Sequence, residues 1–207
     1  MLRQRLKQES SEQLLILALP RGGVPVGFEV ALALNAKLDV FVVRKLGAPG
    51  HEELAMGAIA SGGVRVINTE VVNALHVTPE EIEEIALREA EELNRREKLY
   101  RGERPPRRVQ GESVILVDDG VATGYSMRAA VLAVRQQAPK AVMVAVPVGA
   151  RETCEELGRE ADAVFCFRVP GEFVAVGQWY RNFTQTSDEE VRALLDRASQ
   201  RPGQNAA

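Results

Sequence analysis

Only two cysteines occur in 207 residues, Cys154 and Cys166. Their spacing matches no metal-ligand signature, which excludes a zinc knuckle or ribbon, and they are expected as reduced thiols with structural roles. Long apolar runs are missing as well. The run Leu14-Leu15-Ile16-Leu17-Ala18-Leu19 is too short to span a membrane and leads directly into Pro20 and Arg21. The basic start Met1-Leu2-Arg3-Gln4-Arg5-Leu6-Lys7 is followed by Glu9 and Glu12 before that run, so no targeting segment is read and a cytoplasmic protein without a membrane partner is expected. An excess of one charge is also lacking: the formal net charge is -3, which gives no global reason to expect nucleic acid. Arg101, Arg104, Arg107 and Arg108 form the one local basic cluster, and it reads as a solvated loop. No internal repeat or low-complexity linker divides the chain, so residues 1–207 read as a single domain.

What is present is an alternation of apolar runs and helical patterns, the order of a parallel sheet with helices on its faces. A first strand at 14–19 stops at Pro20 and the Gly22-Gly23 pair. Val26, Val30 and Leu34 then recur at helical spacing up to Asn35. A second strand, Val40-Phe41-Val42-Val43, ends at the basic pair Arg44-Lys45. Two apolar stretches around Ser61-Gly62-Gly63 predict a β-hairpin. Thr78-Pro79-Glu80-Glu81 predicts a capping box opening a charged helix, with Glu84–Arg88, Glu91–Arg95 and Glu92–Arg96 four apart. Its apolar stripe (Ile82, Ile85, Ala86, Leu93) is narrow, so the helix reads as a solvated lid or oligomer arm. Further strands are expected at 113–117, 141–146 and 163–167, with helices at about 126–137 and 153–159. A second capping box, Ser187-Asp188-Glu189-Glu190, opens a last helix that buries Val191, Leu194, Leu195 and Ala198, and the tail after Arg201 reads as frayed.

The chemistry concentrates in Val114-Ile115-Leu116-Val117-Asp118-Asp119-Gly120-Val121-Ala122-Thr123-Gly124-Tyr125-Ser126. A hydrophobic strand delivers two carboxylates to its C-terminal end, the edge where open α/β sheets bind ligands. The small residues that follow let a phosphate approach backbone N–H groups. The helix start adds positive partial charge, and Thr123 and Ser126 add hydroxyl donors. A phosphomonoester in the loop with a vicinal diol on the carboxylates describes a ribose 5-phosphate. No lysine follows the glycine, so this is not a Walker loop. The G-x-G-x-x-G fingerprint is absent after the first strand.

That run resembles the signature of the type I phosphoribosyltransferases: an apolar strand, two acidic residues, then a small-residue loop with Thr-Gly and a closing Ser or Thr. The resemblance covers roughly 14–183, with 69–111 looking like a helical insertion. It implies a parallel twisted α/β sheet with a small hood at about 168–186. Pro20-Arg21-Gly22-Gly23 looks like the family's pyrophosphate loop, where a non-proline cis peptide is common. Arg44-Lys45 with Gly47-Ala48-Pro49-Gly50 looks like the start of the flexible loop that closes over substrate, the loop and hairpin together covering about 44–68. His51 in that loop reads as an exposed residue. In the hood, Phe173 matches the residue that stacks on a base. Trp179 or Tyr180 are alternatives, or all three belong to the core.

The resemblance further implies transfer of ribose 5-phosphate from 5-phosphoribosyl 1-pyrophosphate to a nitrogenous acceptor. Arg21, Arg44 and Lys45 would be catalytic, and the donor would sit on Gly22, Gly23, Asp118, Asp119 and residues 120–126. Mg²⁺ would arrive mainly through the donor, and a homo-oligomer is expected. Ala122 stands where the 6-oxopurine enzymes carry an aspartate, which argues against a hypoxanthine–guanine enzyme of the usual kind. Tyr125 stands where many members have glycine, and it narrows the loop only if its ring points inward. A donor-binding sensor without transferase activity is the alternative reading. A structural subunit assembled through the charged helix is a more distant one.

Overall fold

The computed structural model describes residues 14–201, so the basic start and the tail beyond Arg201 lie outside the described residues. In chain order the elements are β1 (Leu14–Ala18), α1 (Gly23–Leu34), β2 (Lys37–Val40), β3 (Val43–Ala48), β4 (His51–Ala60) and β5 (Val64–Ile67). Then follow α2 (Thr69–Ala74), α3 (Pro79–Arg101), β6 (Ser113–Val117), α4 (Tyr125–Arg135), β7 (Ala141–Val148) and α5 (Arg151–Glu160). The chain ends with β8 (Ala163–Arg168), a 3-10 turn at Val176–Trp179 and α6 (Asp188–Ser199).

Five strands form a parallel sheet in the order β2-β1-β6-β7-β8, and β3, β4 and β5 form a separate antiparallel sheet. All five residues of β1 and of β6 are buried, as continuous apolar runs require when both faces of a sheet are covered. Leu14, Ile16 and Ala18 face one layer with Val24, Phe28 and Ala31 of α1 and Val191 of α6. Leu15 and Leu17 face the other, with Met127, Ala130, Val131 and Val134 of α4. Those four recur at i, i+3, i+4 and i+7, one stripe of a helix.

The second strand sits earlier than its β-branched run suggests. β2 ends at Val40, and Phe41 donates to the carbonyl of Ala18 before the chain leaves the sheet. Asp39 is tolerated inside β2 because Arg101 reaches it, Nε to Oδ1 at 2.8 Å, and the same guanidinium donates to the carbonyl of Val40. The arginine cluster is therefore not simply a solvated loop. Arg101 is 7% exposed and buried against Asp39, and Arg104 pairs with Asp196.

Segment 44–50, expected as a flexible loop, is a strand and a tight turn. Leu46 and Ala48 point inward and are fully buried, and Ala48 pairs with His51 across the two-residue turn Pro49-Gly50. Proline followed by a glycine at φ 70 suits such a turn, so the residues that suggested mobility close a hairpin instead. The expected β4–β5 hairpin around Ser61-Gly62-Gly63 forms.

The charged helix α3 carries the expected Thr78–Glu81 capping box and the Glu92–Arg96 pair. Arg95 turns to Glu92, and Arg88 lies nearest Glu89. The helix is more than a solvated arm, since Ala86, Leu93 and Tyr100, seven residues apart, are buried in the core beside α6 and β3.

Candidate functional site

Three helices begin at the carboxyl edge of the parallel sheet, and their N-termini differ from the rest. The peripheral α2, α3 and α6 are capped by the side chains of Asn68, Thr78 and Ser187. By contrast α1, α4 and α5, which follow β1, β6 and β7, start at Gly22, Gly124 and Ala150 with no side-chain cap. The first turn of a helix carries N–H groups without intrahelical partners and about half a positive charge. At α1 the Gly23 and Val24 N–H groups turn to the carbonyls of Leu19 and Arg21, so the starts of α4 and α5 are where the carboxyl edge offers donors to an anion.

β6 carries Asp118 and Asp119 to that edge. The Asp119 N–H donates to Asp118 Oδ1 at 2.9 Å. Burial, and secondly the adjacent Asp119, push the Asp118 carboxyl up to about 7. Burial also holds Asp119 above its ordinary range. Among the described residues no cation pairs with either carboxylate. Two desolvated carboxylates without a counter-charge suit a ligand that brings hydroxyls or a cation to them.

The loop after β1 presses directly on this pair. A Cβ placed on Gly22 would run into the Asp119 carboxylate, and one on Gly23 would lie 2.7 Å from the Val117 carbonyl and 2.9 Å from the Asp118 Cα. At Gly23 these obstacles are backbone and only glycine fits, whereas at Gly22 a side chain would require the Asp119 carboxylate to swing aside. The Pro20–Arg21 peptide in this loop is cis.

On the far side, residues 121–126 form an open shelf. Val121 and Gly124 are buried, and Ala122, Thr123, Tyr125 and Ser126 are exposed. Tyr125, 68% exposed, turns its ring to solvent and does not narrow the loop. Val121 is fixed by backbone bonds to Val148 and Ala150, while buried Thr153 donates to the carbonyl of Ala122 at 2.5 Å. The hood closes from above, with Val176 against Gly120 and the Tyr180 hydroxyl donating to the carbonyl of Asp119 at 2.6 Å. Burial, followed by the charges of Asp119 and Asp118, pushes the Tyr180 phenol up to about 12.

The structure thus brings together Gly22, Gly23, Asp118, Asp119 and residues 120–126. Arg21 lies in the same loop but faces Asp188, Nη1 to Oδ1 at 3.6 Å, and that carboxylate also accepts from Tyr100. Arg44 and Lys45 are engaged elsewhere. Arg44 is held by Glu89 of α3 at 2.6 Å, and Lys45 makes an exposed pair with Glu53. Phe173 is half-buried, and the hood residues seen to touch the acidic pair's segment are Val176 and Tyr180. Thr153, Val176, Asp188 and Glu89 escaped the sequence reading because each acts across a long stretch of chain. The one local signal was available: helices that open on glycine or alanine where others open on Asn, Thr or Ser.

A cavity of about 630 Å³ lined by Lys37, Asp39, Arg101, Arg104 and Arg107 lies at the amino ends of β2 and β6, away from this edge. Lys37, Arg101 and Arg104 already pair there with Glu112, Asp39 and Asp196, so it is not the counterpart of the acidic site.

An open parallel sheet with an acidic pair, a glycine-tight loop and an uncapped helix at its carboxyl edge defines an α/β protein of the type I phosphoribosyltransferase fold. The family model described as "Phosphoribosyl transferase domain" matches residues 1–184, and the chain belongs to that family. Two Mycobacterium tuberculosis proteins named "Putative phosphoribosyl transferase", MT0597 and Rv0571c, are each 47% identical to it over 197 residues. The match covers 95% of this chain but 44% of theirs, so the chain spans less than half the length of those curated relatives. The crystal structure of TT1426 from Thermus thermophilus superposes with a TM-score of 0.82 at 43% identity, covering 94% of this chain and 92% of that one. Among the described residues no helix is long and apolar enough to cross a membrane.

Proposed function

We propose that the chain binds 5-phosphoribosyl 1-pyrophosphate at the carboxyl edge and transfers its ribose 5-phosphate to a nitrogen of an acceptor base, releasing pyrophosphate. The observation that carries this reading is the contact of Gly22 and Gly23 with Asp119 and Asp118. It sets the glycine loop and the acidic pair side by side, with the uncapped α4 N-terminus nearby in the chain after that pair, an arrangement that suits pyrophosphate next to a ribose diol.

In this reading the 5-phosphate rests on the N–H groups and hydroxyls of residues 122–126, and Asp118 and Asp119 accept from the ribose hydroxyls. The bond from the anomeric carbon to pyrophosphate breaks as one from the acceptor nitrogen forms on the opposite face. Positioning and charge stabilisation supply most of the rate. Mg²⁺ fits here as an ion carried by the donor, since two adjacent carboxylates present hard oxygen ligands, and when bound it would neutralise charge on the pyrophosphate. Arg21 would turn from Asp188 to the leaving group. Arg44 and Lys45 would reach it only when Arg44 leaves Glu89 of α3 and Lys45 leaves Glu53 of the neighbouring strand β4, as the β3–β4 hairpin moves to close the site against water. Cytoplasmic location and homo-oligomeric assembly belong to the same proposal.

A second reading, a donor-binding sensor without transfer, draws on the same engagement of Arg44 and Lys45 by carboxylates. Calorimetric titration of phosphoribosyl pyrophosphate with Mg²⁺, followed by a pyrophosphate-release screen across bases, separates the two. Binding with release for one base establishes the transferase, and binding without release favours the sensor. Equal donor affinity in a well-folded Asp118→Asn/Asp119→Asn double variant would remove the site assignment.

A further inference from the structure

Cys154 at the start of α5 and Cys166 on β8, twelve residues on, meet behind the loop that the proposed function assigns to phosphate. A Cβ built on Gly149 would lie 2.6 Å from Cys154 Sγ and 3.2 Å from Cys166 Sγ, so both sulfurs close on one glycine. The Cys166 S–H donates to the carbonyl of Arg168 at 3.0 Å, and Cys154 Sγ is the neighbour to which that one hydrogen can turn instead. Both are free and half-buried, and Cys166 lies on the edge strand β8, open to a small reagent.

Gly149 pairs with Val121 in an isolated parallel bridge, and Ala150 donates to the Val121 carbonyl at 3.0 Å. Thr153, next to Cys154, holds the carbonyl of Ala122. Any shift of the two sulfurs is therefore felt on both sides of residues 121 and 122.

We propose that Cys154 and Cys166 form a redox modification site that takes a low-molecular-weight disulfide and closes into an intramolecular disulfide, altering the loop at 121–126. The Cys154 thiolate attacks one sulfur of the reagent and expels one thiol. The Cys166 thiolate then attacks Cys154 Sγ in the mixed disulfide and expels the second. Two electrons pass to the reagent, both protein thiols lose their protons, and two small thiols are released. Cys154 is the first nucleophile because the Cys166 S–H, turned from the Arg168 carbonyl, favours the Cys154 thiolate, while that contact and burial hold the proton on Cys166.

The test treats the reduced full chain with oxidised glutathione and follows thiol titration, intact mass and hydrogen–deuterium exchange. Wild type should lose both titratable thiols and the mass of two hydrogens, retain no glutathione, and recover fully with dithiothreitol. Cys166→Ser should stop at the mixed disulfide and keep one glutathione. Amide exchange across 121–126 should change about tenfold on oxidation of wild type, and not on the same treatment of Cys154→Ser. Persistence of both thiols overturns the site, and a disulfide that leaves exchange at 121–126 unchanged overturns the coupling. Neither readout needs the donor, so a chain that fails to bind phosphoribosyl pyrophosphate in either redox form counts against the proposed function and leaves this inference to be judged on its own measurements.

Discussion

The Tyr180 hydroxyl donates to the backbone carbonyl of Asp119 at 2.6 Å, tying the hood to the residue that ends the acidic pair. The hood is otherwise irregular, with a single 3-10 turn, so this bond and the Val176–Gly120 contact fix its height over the site. Tyr180→Phe keeps the ring beside Phe183 and removes only the donor. A stability loss of about 1 kcal/mol is expected, with donor affinity falling severalfold in calorimetry. Unchanged affinity would show that the hood does not hold the acidic pair in place.

Asp118 gives the free protein a pH signature. Its carboxyl has an ordinary value of 3.8, which sets its behaviour in the unfolded chain, and sits at about 7 when folded. Between those values the unfolded chain has released a proton that the folded chain still holds. Stability should therefore fall as pH rises from about 4 to about 7 and level off beyond. Asp119, also raised, adds a slope of the same sign. Asp118→Asn should flatten most of this slope and raise stability at pH 8 on the order of a few kcal/mol, while donor binding is lost. Chemical denaturation across the pH range reads the first effect and calorimetry the second. A variant less stable than wild type at pH 8 would contradict the desolvation argument.

Glycine at 22 and 23 separates binding from folding. Gly22→Ala meets a carboxylate that can swing, so thermal stability should change little while donor affinity drops at least about tenfold, near 1.4 kcal/mol. Gly23→Ala meets the Val117 carbonyl and Asp118 Cα, which cannot move aside, and should cost about 1–3 kcal/mol of stability as well. Equal melting temperatures for the two variants would argue against this difference.

Arg101 belongs to the fold and not to the site. Burial opposes its charge, but Asp39 and Glu97 more than offset that and hold the guanidinium above its usual range. Arg101→Ala leaves Asp39 buried without its partner and should cost about 3–5 kcal/mol, measured by urea denaturation. Donor affinity of the folded fraction should be unchanged.

Glu89 holds Arg44, accepting from both its Nε and its Nη2. If Arg44 serves the leaving pyrophosphate, Arg44→Ala should slow pyrophosphate release at least about tenfold, whereas Glu89→Gln should maintain or raise it. Slower release in Glu89→Gln, with Arg44→Ala unaffected, would assign the pair to stability alone.

Much of this was readable locally. While the second expected box forms only its Ser187 half, the apolar runs of β1 and β6 and the Thr78–Glu81 capping box depend on neighbours within a few residues, so they followed from the chain itself. So did the 114–126 motif, because strand, acidic pair and loop are contiguous. Arg44-Lys45 did not: a basic pair after a β-branched run looks like a loop until Leu46 and Ala48 find a core in the antiparallel sheet. Nor could the sequence show that Asp39 of β2 is balanced by Arg101 at the end of α3.

The sequence alone determined the parallel α/β plan, the acidic pair at a strand end and the helix start beside it, since periodicity and capping are short-range properties. Tertiary structure decided that Gly22 and Gly23 lie on that pair, that Tyr180 and Thr153 brace its loop, that the cations at 44 and 45 are bound to carboxylates, and that two cysteines meet at Gly149. Most of these join segments distant in the chain, and packing, unlike propensity, leaves no mark on either segment by itself.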